Sequence, residues 1–251
     1  MNEYGKIIAE NTYQFWQAAA NAGKMETCIS PDVSYIINYC GNWPNRVFQT
    51  SFHEKNAMKR IHSIIDIYRV MNTPFVWVST PFDNPDNLNE MLLGCVPSEC
   101  KPLTGMHLPL NGLSAAIMPA GFEIREIDTI SEIQNWCSIV YAAFGIELGV
   151  DVFYLLSQQD NVKLFLCYCE SEPVATAMLF ADDNTAGSHF VGTLHHYQKK
   201  GLASALTLHT AYEAKKMGKT ELVLWATAQG QPVYEKVGFL KSFECQLHLF
   251  Y

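Results

Sequence analysis

The regular succession of short strands and helices behind residue 121 is the feature that most restricts the fold. VKLFLCYCE and PVATAMLFAD have strand character and flank the turn ESEP, so they predict an antiparallel hairpin. A third strand, SHFVGTL, then leads into a long helix from about Lys199 to Met217, which Gly218 ends. Strands that pair as hairpins, together with helices that connect other strands, predict a mixed α/β (α+β) sheet flanked by helices.

The other elements of this half are short and separated by polar turns. They are the strand FEIREID, a helix over SEIQNWCSIVYAAFG capped by Ser131, a helix over DVFYLLSQQ, the apolar strand TELVLWAT, a helix over QPVYEKVGF that begins at Pro232, and the final strand SFECQLHLFY. TELVLWAT is apolar throughout, which predicts a strand buried on both faces.

Residues 1–118 also mix helices and strands, but no motif in them carries chemistry by itself. Residues 2–22 and 53–71 have helical spacing, and NPDNLNEMLLGC predicts a short helix capped by Asn84 or Asp86. The second helix is expected to bury a stripe made of Met58, Ile61, Ile64, Ile65 and Tyr68. Strands are predicted over VSYIINYC, RVFQTSF and PFVWVST.

A stretch of small residues separates the two halves. SAAIMPAG, residues 114–121, contains a Pro and a Gly, and the strand-and-helix pattern becomes regular behind it. We therefore place a domain boundary near Pro119, which divides the chain into residues 1–118 and 119–251.

Composition excludes several classes of protein. The 251 residues are 49% hydrophobic and 17% charged, as expected of a globular chain that can bury most of its apolar surface. Seventeen Lys and Arg against 25 Asp and Glu give a net charge of -8, which argues against nucleic acid as a partner. No apolar run is long enough for a membrane span, and the N-terminal segment lacks a secretory pattern. We expect a cytoplasmic protein that does not bind membranes.

Eight cysteines are scattered along the chain without a CxxC pair and without a Cys/His cluster at zinc spacing. Reduced thiols and no metal site are therefore expected. Cys167 and Cys169 lie two apart on an apolar strand, where a thiolate is costly.

The segment VGTLHHYQKKGLASAL, residues 191–206, has the outline of an anion site. A strand ends and a turn of small residues opens a long helix, so that main-chain N–H groups can point at a phosphate. Gly201 and Ala203 leave the backbone uncluttered, while Lys199 and Lys200 add positive charge at the same place.

Two motifs at the expected separation resemble the GNAT superfamily of N-acetyltransferases. Gln198, Gly201 and Ala203 match its Gln/Arg-x-x-Gly-x-Gly/Ala coenzyme A loop, and YEKVGF (234–239) matches its Tyr-x-x-x-Gly-Phe element. The resemblance covers residues 122–251 and implies a mostly antiparallel central sheet flanked by helices. Residues 1–118, particularly WPNRVF, look similar to the degenerate GNAT-like leader domain of one subgroup. Two such domains in tandem are therefore expected, with the cofactor only in the second.

The resemblance also implies roles for individual residues. In such enzymes the fourth strand splays from the fifth, and acetyl-CoA lies in the wedge with its pantetheine along the main chain of Val191, Gly192 and Thr193. Tyr234 would protonate the departing thiolate. Thr227 stands where the family often has an Asn that contacts the cofactor. The pyrophosphate would be held by Gln198, Lys199, Lys200, Gly201, Leu202, Ala203 and Ser204.

The residue that removes a proton from the acceptor is less defined. His189 lies two residues before Val191, where some family members carry a histidine that works through water, so a catalytic role competes with a packing role. His195 and His196 precede the loop and could face solvent or phosphate. Glu221 is a weaker candidate that we expect to be a solvated charge at a strand start.

The resemblance implies an N-acetyltransferase that passes an acetyl group from acetyl-CoA to a primary amine by direct attack in a ternary complex. The negative net charge of the chain favours a cationic acceptor, such as a polyamine, an aminoglycoside or a Lys side chain of a peptide. The alternatives are a non-catalytic coenzyme A-binding regulatory module and a structural or interaction protein. The acceptor and the oligomeric state, a homodimer included, are left open.

Overall fold

An eleven-stranded sheet organises the computed structural model, which describes residues 3–113 and 118–251. The strands in chain order are β1 (Glu26–Ile29), β2 (Ser34–Ile37), β3 (Arg46–Phe48), β4 (Phe75–Ser79), β5 (Glu99–Pro109), β6 (Phe122–Ile127), β7 (Val162–Cys169), β8 (Glu172–Ala181), β9 (Thr185–Thr193), β10 (Glu221–Ala226) and β11 (Leu240–Phe250). Their spatial order is β1-β2-β3-β4-β11-β5-β10-β9-β8-β7-β6. Only the pairs β3/β4 and β9/β10 are parallel within this described sheet.

Helices cover both faces of this sheet. They are α1 (Glu3–Ala22), α2 (Glu54–Val70), α3 (Leu88–Gly94), α4 (Ile130–Phe144), α5 (Val150–Ser157), α6 (Leu202–Lys216) and α7 (Gln231–Val237). The predicted fold class, a mixed and mostly antiparallel sheet flanked by helices, is confirmed. None of the helices in the described ranges is long and apolar enough to cross a membrane.

The sheet separates two cores, because successive strand side chains point to opposite faces. Val223 of β10 belongs to a core with Trp16 of α1 and Trp136 of α4. Its neighbour Leu222 belongs to a second core with Leu206 of α6. Helices α1, α4 and α5 therefore lie on one face, and α6 and α7 lie on the other. A third core lies beneath α2.

Strand β5 joins the two halves of the chain and was not predicted. It lies between β10 and β11 and pairs antiparallel with both. Pro102, Gly105 and Pro109 interrupt its sequence, which hides the strand pattern. A strand from the first 118 residues thus completes the sheet of the later ones. The domain boundary near Pro119 stays a prediction, and residues 114–117 of the small-residue stretch lie outside the described residues.

Several predicted helix details are corrected. In α2, Met58 was predicted to begin the buried stripe, but its side chain is 36% exposed. The buried stripe begins one residue earlier, at Ala57. Thr129, not Ser131, caps α4, because its hydroxyl accepts a hydrogen bond from the Glu132 N–H. Asn87 precedes α3 in the cap position predicted for Asn84 or Asp86, with no side-chain hydrogen bond. Strand β1 was also missed.

Candidate functional site

A wedge between β9 and β10 forms the centre of the site. The two strands pair only from Thr185 with Glu221 to Gly187 with Val223. Beyond these residues the strands diverge and open a cavity of about 1270 Å³, whose wall includes Ser188 to Thr193. The predicted splay of these two strands is therefore present.

A β-bulge in β9 sets the direction of its main chain at the wedge. Thr176 pairs with Gly192 and Met178 pairs with His189, so Phe190 and Val191 together oppose one residue of β8. Phe190 adopts φ 50°, and the Thr176 hydroxyl donates a hydrogen bond of 2.8 Å to its carbonyl.

The far end of β9 fixes which main-chain groups remain for a ligand. The Leu194 N–H donates to Val174 O at 3.0 Å, towards β8. Because main-chain groups alternate along a regular strand, those of Thr193 point away from β8, towards the wedge. A strand-like ligand such as pantetheine could pair with this edge.

The start of α6 presents further N–H groups to the cavity. Gly201 occupies the cap position with φ 83° and contributes no side-chain cap. The Ala205 N–H donates to Gly201 O at 3.0 Å, so the N–H groups of Leu202–Ser204 precede the first helical bond. A Cβ at Gly201 would have only Pro119 Cγ, at 3.8 Å, within 4 Å. The space beside Gly201 is therefore open, which leaves room for a phosphate group near the helix start.

The charged and polar side chains of residues 195–200 differ in whether they face the cavity. Lys199 lines the cavity, whereas Lys200 lies outside its wall with Nζ 4.9 Å from the centre of the Tyr197 ring. Gln198 turns back, and its Nε2 donates to Thr193 O at 3.3 Å. His195 and His196 are exposed outside the cavity wall. The positive charge next to the open N–H groups therefore comes from Lys199.

Tyr234 reaches the cavity from α7. Burial raises the pKa of its phenol to about 12, so the hydroxyl keeps its proton at neutral pH. The turn before α7 is held by Thr227, whose hydroxyl accepts a hydrogen bond from the Gly230 N–H at 3.1 Å. Thr227 also lines the cavity, so one hydroxyl both shapes the turn and faces a ligand.

His189 is a neutral wall residue. Its ring stacks on Phe15 with centroids 4.5 Å apart, and Nε2 is buried without a hydrogen-bond partner among the described residues. Burial lowers the pKa of His189 to about 3. An imidazole with so low a pKa is a weak proton acceptor at pH 7.

The expectation for Glu221 is wrong. Its side chain is only 14% exposed and accepts a hydrogen bond from His107 Nδ1 at 3.1 Å, so it is not a solvated charge. It also lies outside the cavity wall.

One wall of the cavity is formed by residues that were not predicted as site residues from the sequence. Helix α1, the segment before β3 and the first residue of β3 contribute aromatic side chains and one guanidinium, namely Phe15, Trp16, Trp43 and Arg46. The signal available in the sequence was WPNRVF, in which an arginine stands among apolar residues without a nearby acid.

The tertiary structure brings most of the predicted site residues together. Lys200 lies outside the wall, as do the weaker candidates His195, His196 and Glu221. The residues that line the cavity are His189, Val191, Gly192, Thr193, Gln198, Lys199, Gly201, Leu202, Ala203, Ser204, Thr227 and Tyr234. In the parts of the chain that the structure describes, no group of three His, Cys, Asp or Glu residues could hold a metal ion. The eight cysteines are free thiols.

Comparison with known proteins finds a family model that matches part of the chain and solved structures with a similar fold. Residues 128–239 match the family model described as the acetyltransferase (GNAT) family. A GCN5-related N-acetyltransferase from Kribbella flavida has a similar structure, with a TM-score of 0.71, 18% identity and coverage of 98% of this chain and 95% of that one. A second GCN5-related N-acetyltransferase, from Sphaerobacter thermophilus, has a TM-score of 0.62 and 12% identity, with coverage of 95% of this chain and 91% of that one. A search of curated protein sequences finds no match. The chain therefore has the GNAT fold and carries a GNAT acetyltransferase domain over residues 128–239.

Proposed function

We propose that the protein is an N-acetyltransferase that transfers an acetyl group from acetyl-CoA to a primary amine by direct attack. The observation that carries this proposal is the wedge between β9 and β10 that continues into the open helix start at Gly201. GNAT family membership supports acyl transfer in general. The wedge adds a strand edge for a pantetheine arm and a set of N–H donors for phosphates in one continuous cavity.

The residues present fit acetyl-CoA. When bound, acetyl-CoA supplies an acyl thioester, which an amine can attack. The N–H groups of Leu202–Ser204 and the positive end of α6 would hold its pyrophosphate, with Lys199 beside them. The main chain of Val191 and Thr193 would pair with the pantetheine, and the bulge at Phe190 would turn an N–H towards the thioester oxygen.

Tyr234 would donate the proton that the departing sulfur needs. Its phenol is protonated at neutral pH and lines the same cavity as the bulge. Replacement of Tyr234 by Phe removes only the hydroxyl. A large fall in thiol release with unchanged affinity for acetyl-CoA is expected, whereas an unaltered rate would contradict the acid role.

The proton of the acceptor amine requires an acceptor of its own. His189 is a weak base because of its low pKa. Glu147, on the loop between α4 and α5, is the carboxylate among the described residues that line the cavity. We therefore assign this proton to Glu147 and a packing role to His189. Glu147→Gln should then lower the rate more than His189→Asn does, and the reverse order would return the role to His189.

A non-catalytic coenzyme A-binding module is the second candidate, favoured by the weak basicity of His189. Calorimetric titration of acetyl-CoA, with Gly201→Glu as the comparison, tests both readings. Binding that is lost in Gly201→Glu, with thiol release when amines are added, supports the enzyme. Binding without release from any amine supports the module, and no binding refutes both. In either case we propose that residues 1–118 form a degenerate GNAT-like domain that walls the acceptor side.

A further inference from the structure

The side chain of Arg46 is a positive charge without a counter-ion in the cavity wall. Its Cζ lies 4.6 Å from the centre of the Trp16 ring, and its Nε is buried without a hydrogen-bond partner. No carboxylate in residues 3–113 or 118–251 forms an ion pair with it, and burial lowers its pKa to about 10 with no nearby charge to offset the effect. Burial of an unpaired charge is costly, so a partner is expected to come from outside the chain.

The backbone that carries Arg46 is held firmly. Asn45 Oδ1 accepts a hydrogen bond of 2.6 Å from the Asn38 N–H, and Asn38 Nδ2 donates to Trp43 O at 2.7 Å. The Tyr68 hydroxyl, beneath the sheet, donates to Arg46 O at 3.2 Å. A fixed backbone lets the guanidinium face a ligand without a large loss of conformational entropy on binding.

Arg46 is on the wrong side of the sheet to bind the phosphates of a cofactor. Its contact Trp16 belongs to α1, on the face that carries α4 and α5. The N–H groups proposed to hold phosphates belong to α6, on the opposite face. Trp16 in turn lies 5.7 Å from Trp225 of β10, so Arg46 stands next to the wedge on the side that an acceptor would use.

We propose that Arg46 binds a carboxylate of the acceptor, so that the acceptor is an amine that also carries a carboxylate, of the amino-acid class. This inference rests on the proposed function. The planar guanidinium can bind a carboxylate through two parallel hydrogen bonds. Trp16 and Trp43 beside it provide an apolar surface for the rest of such a molecule. The local charge at this wall thus points to a zwitterion instead of the polycation that the overall charge of -8 favours.

The reaction is balanced with this acceptor. The amine nitrogen forms a bond to the acetyl carbon as the carbon–sulfur bond breaks. The ammonium group of the zwitterion first loses one proton to Glu147, which releases it to solvent, so that the neutral nitrogen can attack. The sulfur takes the bonding electron pair and a proton from Tyr234, and the second proton of the nitrogen restores the Tyr234 phenol. The products are an N-acetyl amino acid and free coenzyme A. The acceptor carboxylate remains paired with Arg46 throughout.

The first test compares acceptors that differ only in the carboxylate. Thiol release from acetyl-CoA is measured with the common L-amino acids, with the carboxamide and the decarboxylated amine of each, and with simple diamines. We expect kcat/KM for the amino acid to exceed that for each of its two partners without a carboxylate by at least about 30-fold, as a charge-assisted hydrogen-bonded pair would give. Equal rates, or a preference for amines without a carboxylate, would overturn the inference and leave the acetyltransferase proposal standing.

Variants connect that preference to Arg46. Arg46→Met should remove it and Arg46→Lys should restore part of it, mainly through KM. The matched control is Arg60→Met, because Arg60 also lies over an aromatic ring, 5.5 Å from the centre of Phe52, but outside the cavity wall. If Arg60→Met lowers the preference as much as Arg46→Met does, the assignment of Arg46 is wrong.

A binding experiment separates this inference from catalysis. N-acetyl-L-phenylalanine and its carboxamide are titrated into the intact protein, with the fluorescence of the cavity tryptophans as the readout. We expect the carboxylate to bind at least about tenfold more tightly and Arg46→Met to abolish the difference. Equal binding of the two probes, or no binding, would overturn the carboxylate site even if amines are acetylated. Absence of thiol release despite this binding would refute only the catalytic proposal.

Discussion

Replacement of Gly201 by Ala, compared with replacement of Gly218 by Ala, tests whether the start of α6 binds the cofactor. Both glycines have left-handed backbone conformations, with φ 83° at Gly201 and 78° at Gly218. They stand at opposite ends of the same helix, and only Gly201 lines the cavity. The two substitutions therefore match in backbone strain and differ in their distance from the proposed phosphate site.

The expected magnitudes follow from this geometry. A Cβ meets no atom within 4 Å at Gly218 and only Pro119 Cγ, at 3.8 Å, at Gly201, so neither variant suffers a clash. Each should lose about 1 kcal/mol of unfolding free energy from the left-handed strain. At Gly201 the methyl group would also lie at the cavity wall beside the helix start to which we assign the phosphates. Loss of one charge-assisted hydrogen bond there should weaken acetyl-CoA binding by about 10- to 100-fold.

Urea unfolding followed by circular dichroism gives the stability of each variant, and calorimetry gives its affinity for acetyl-CoA. We expect similar shifts of the unfolding midpoint and a loss of affinity in Gly201→Ala only. Unchanged affinity in Gly201→Ala, or an equal loss in Gly218→Ala, would refute the assignment of phosphates to this helix start.

Three further outcomes are expected. Tyr234→Phe should lower kcat by about 100-fold or more in the thiol-release assay, with the calorimetric affinity for acetyl-CoA unchanged. Burial lowers the pKa of His248 from 6.5 to about 4, so between these pH values the unfolded chain binds more protons than the folded one. The free energy of unfolding should therefore fall by up to about 3 kcal/mol as the pH drops from 6.5 to 4. Thermal melts of His248→Asn should show a weaker dependence of stability on pH than those of the unaltered protein. Gly187→Ala should lower the free energy of unfolding in urea by about 1–3 kcal/mol, because its Cβ would collide with Asn11 Oδ1 and His189 Nε2. A loss no greater than that of Gly218→Ala would mean that these two side chains move aside.

The parts of the site that were predictable from sequence are those built from neighbouring residues. The loop from Gln198 to Ser204 and the YEKVGF element carry their own turn and cap chemistry. The loop lines the cavity except at Lys200, and Tyr234 is the residue of YEKVGF that lines it. The hairpin of β7 and β8 was predictable for the same reason, because its two strands are neighbours in the sequence. The cap of α4 was misplaced because Thr129 and Ser131 are both good capping residues, and only the observed backbone distinguishes them.

The charge state of His189 and the surroundings of Glu221 could not be predicted. Phe15 from α1, 174 positions away in the sequence, lies against His189 and removes water from its ring. His107, on the unpredicted strand β5, forms a hydrogen bond with the carboxylate of Glu221. Both environments depend on residues that the chain brings together only when it folds.

The sequence by itself determined the strand and helix order behind residue 121, the open helix start at Gly201 and the match of residues 128–239 to the GNAT family model. Each of these depends on periodicity or turn chemistry within a few residues. The tertiary structure alone decided that β5 lies between β10 and β11 and that α1 covers the wedge. It also decided that Arg46 faces the cavity without a counter-ion. These features arise from contacts between distant segments, whose pairing depends on packing across the whole sheet and leaves no local pattern.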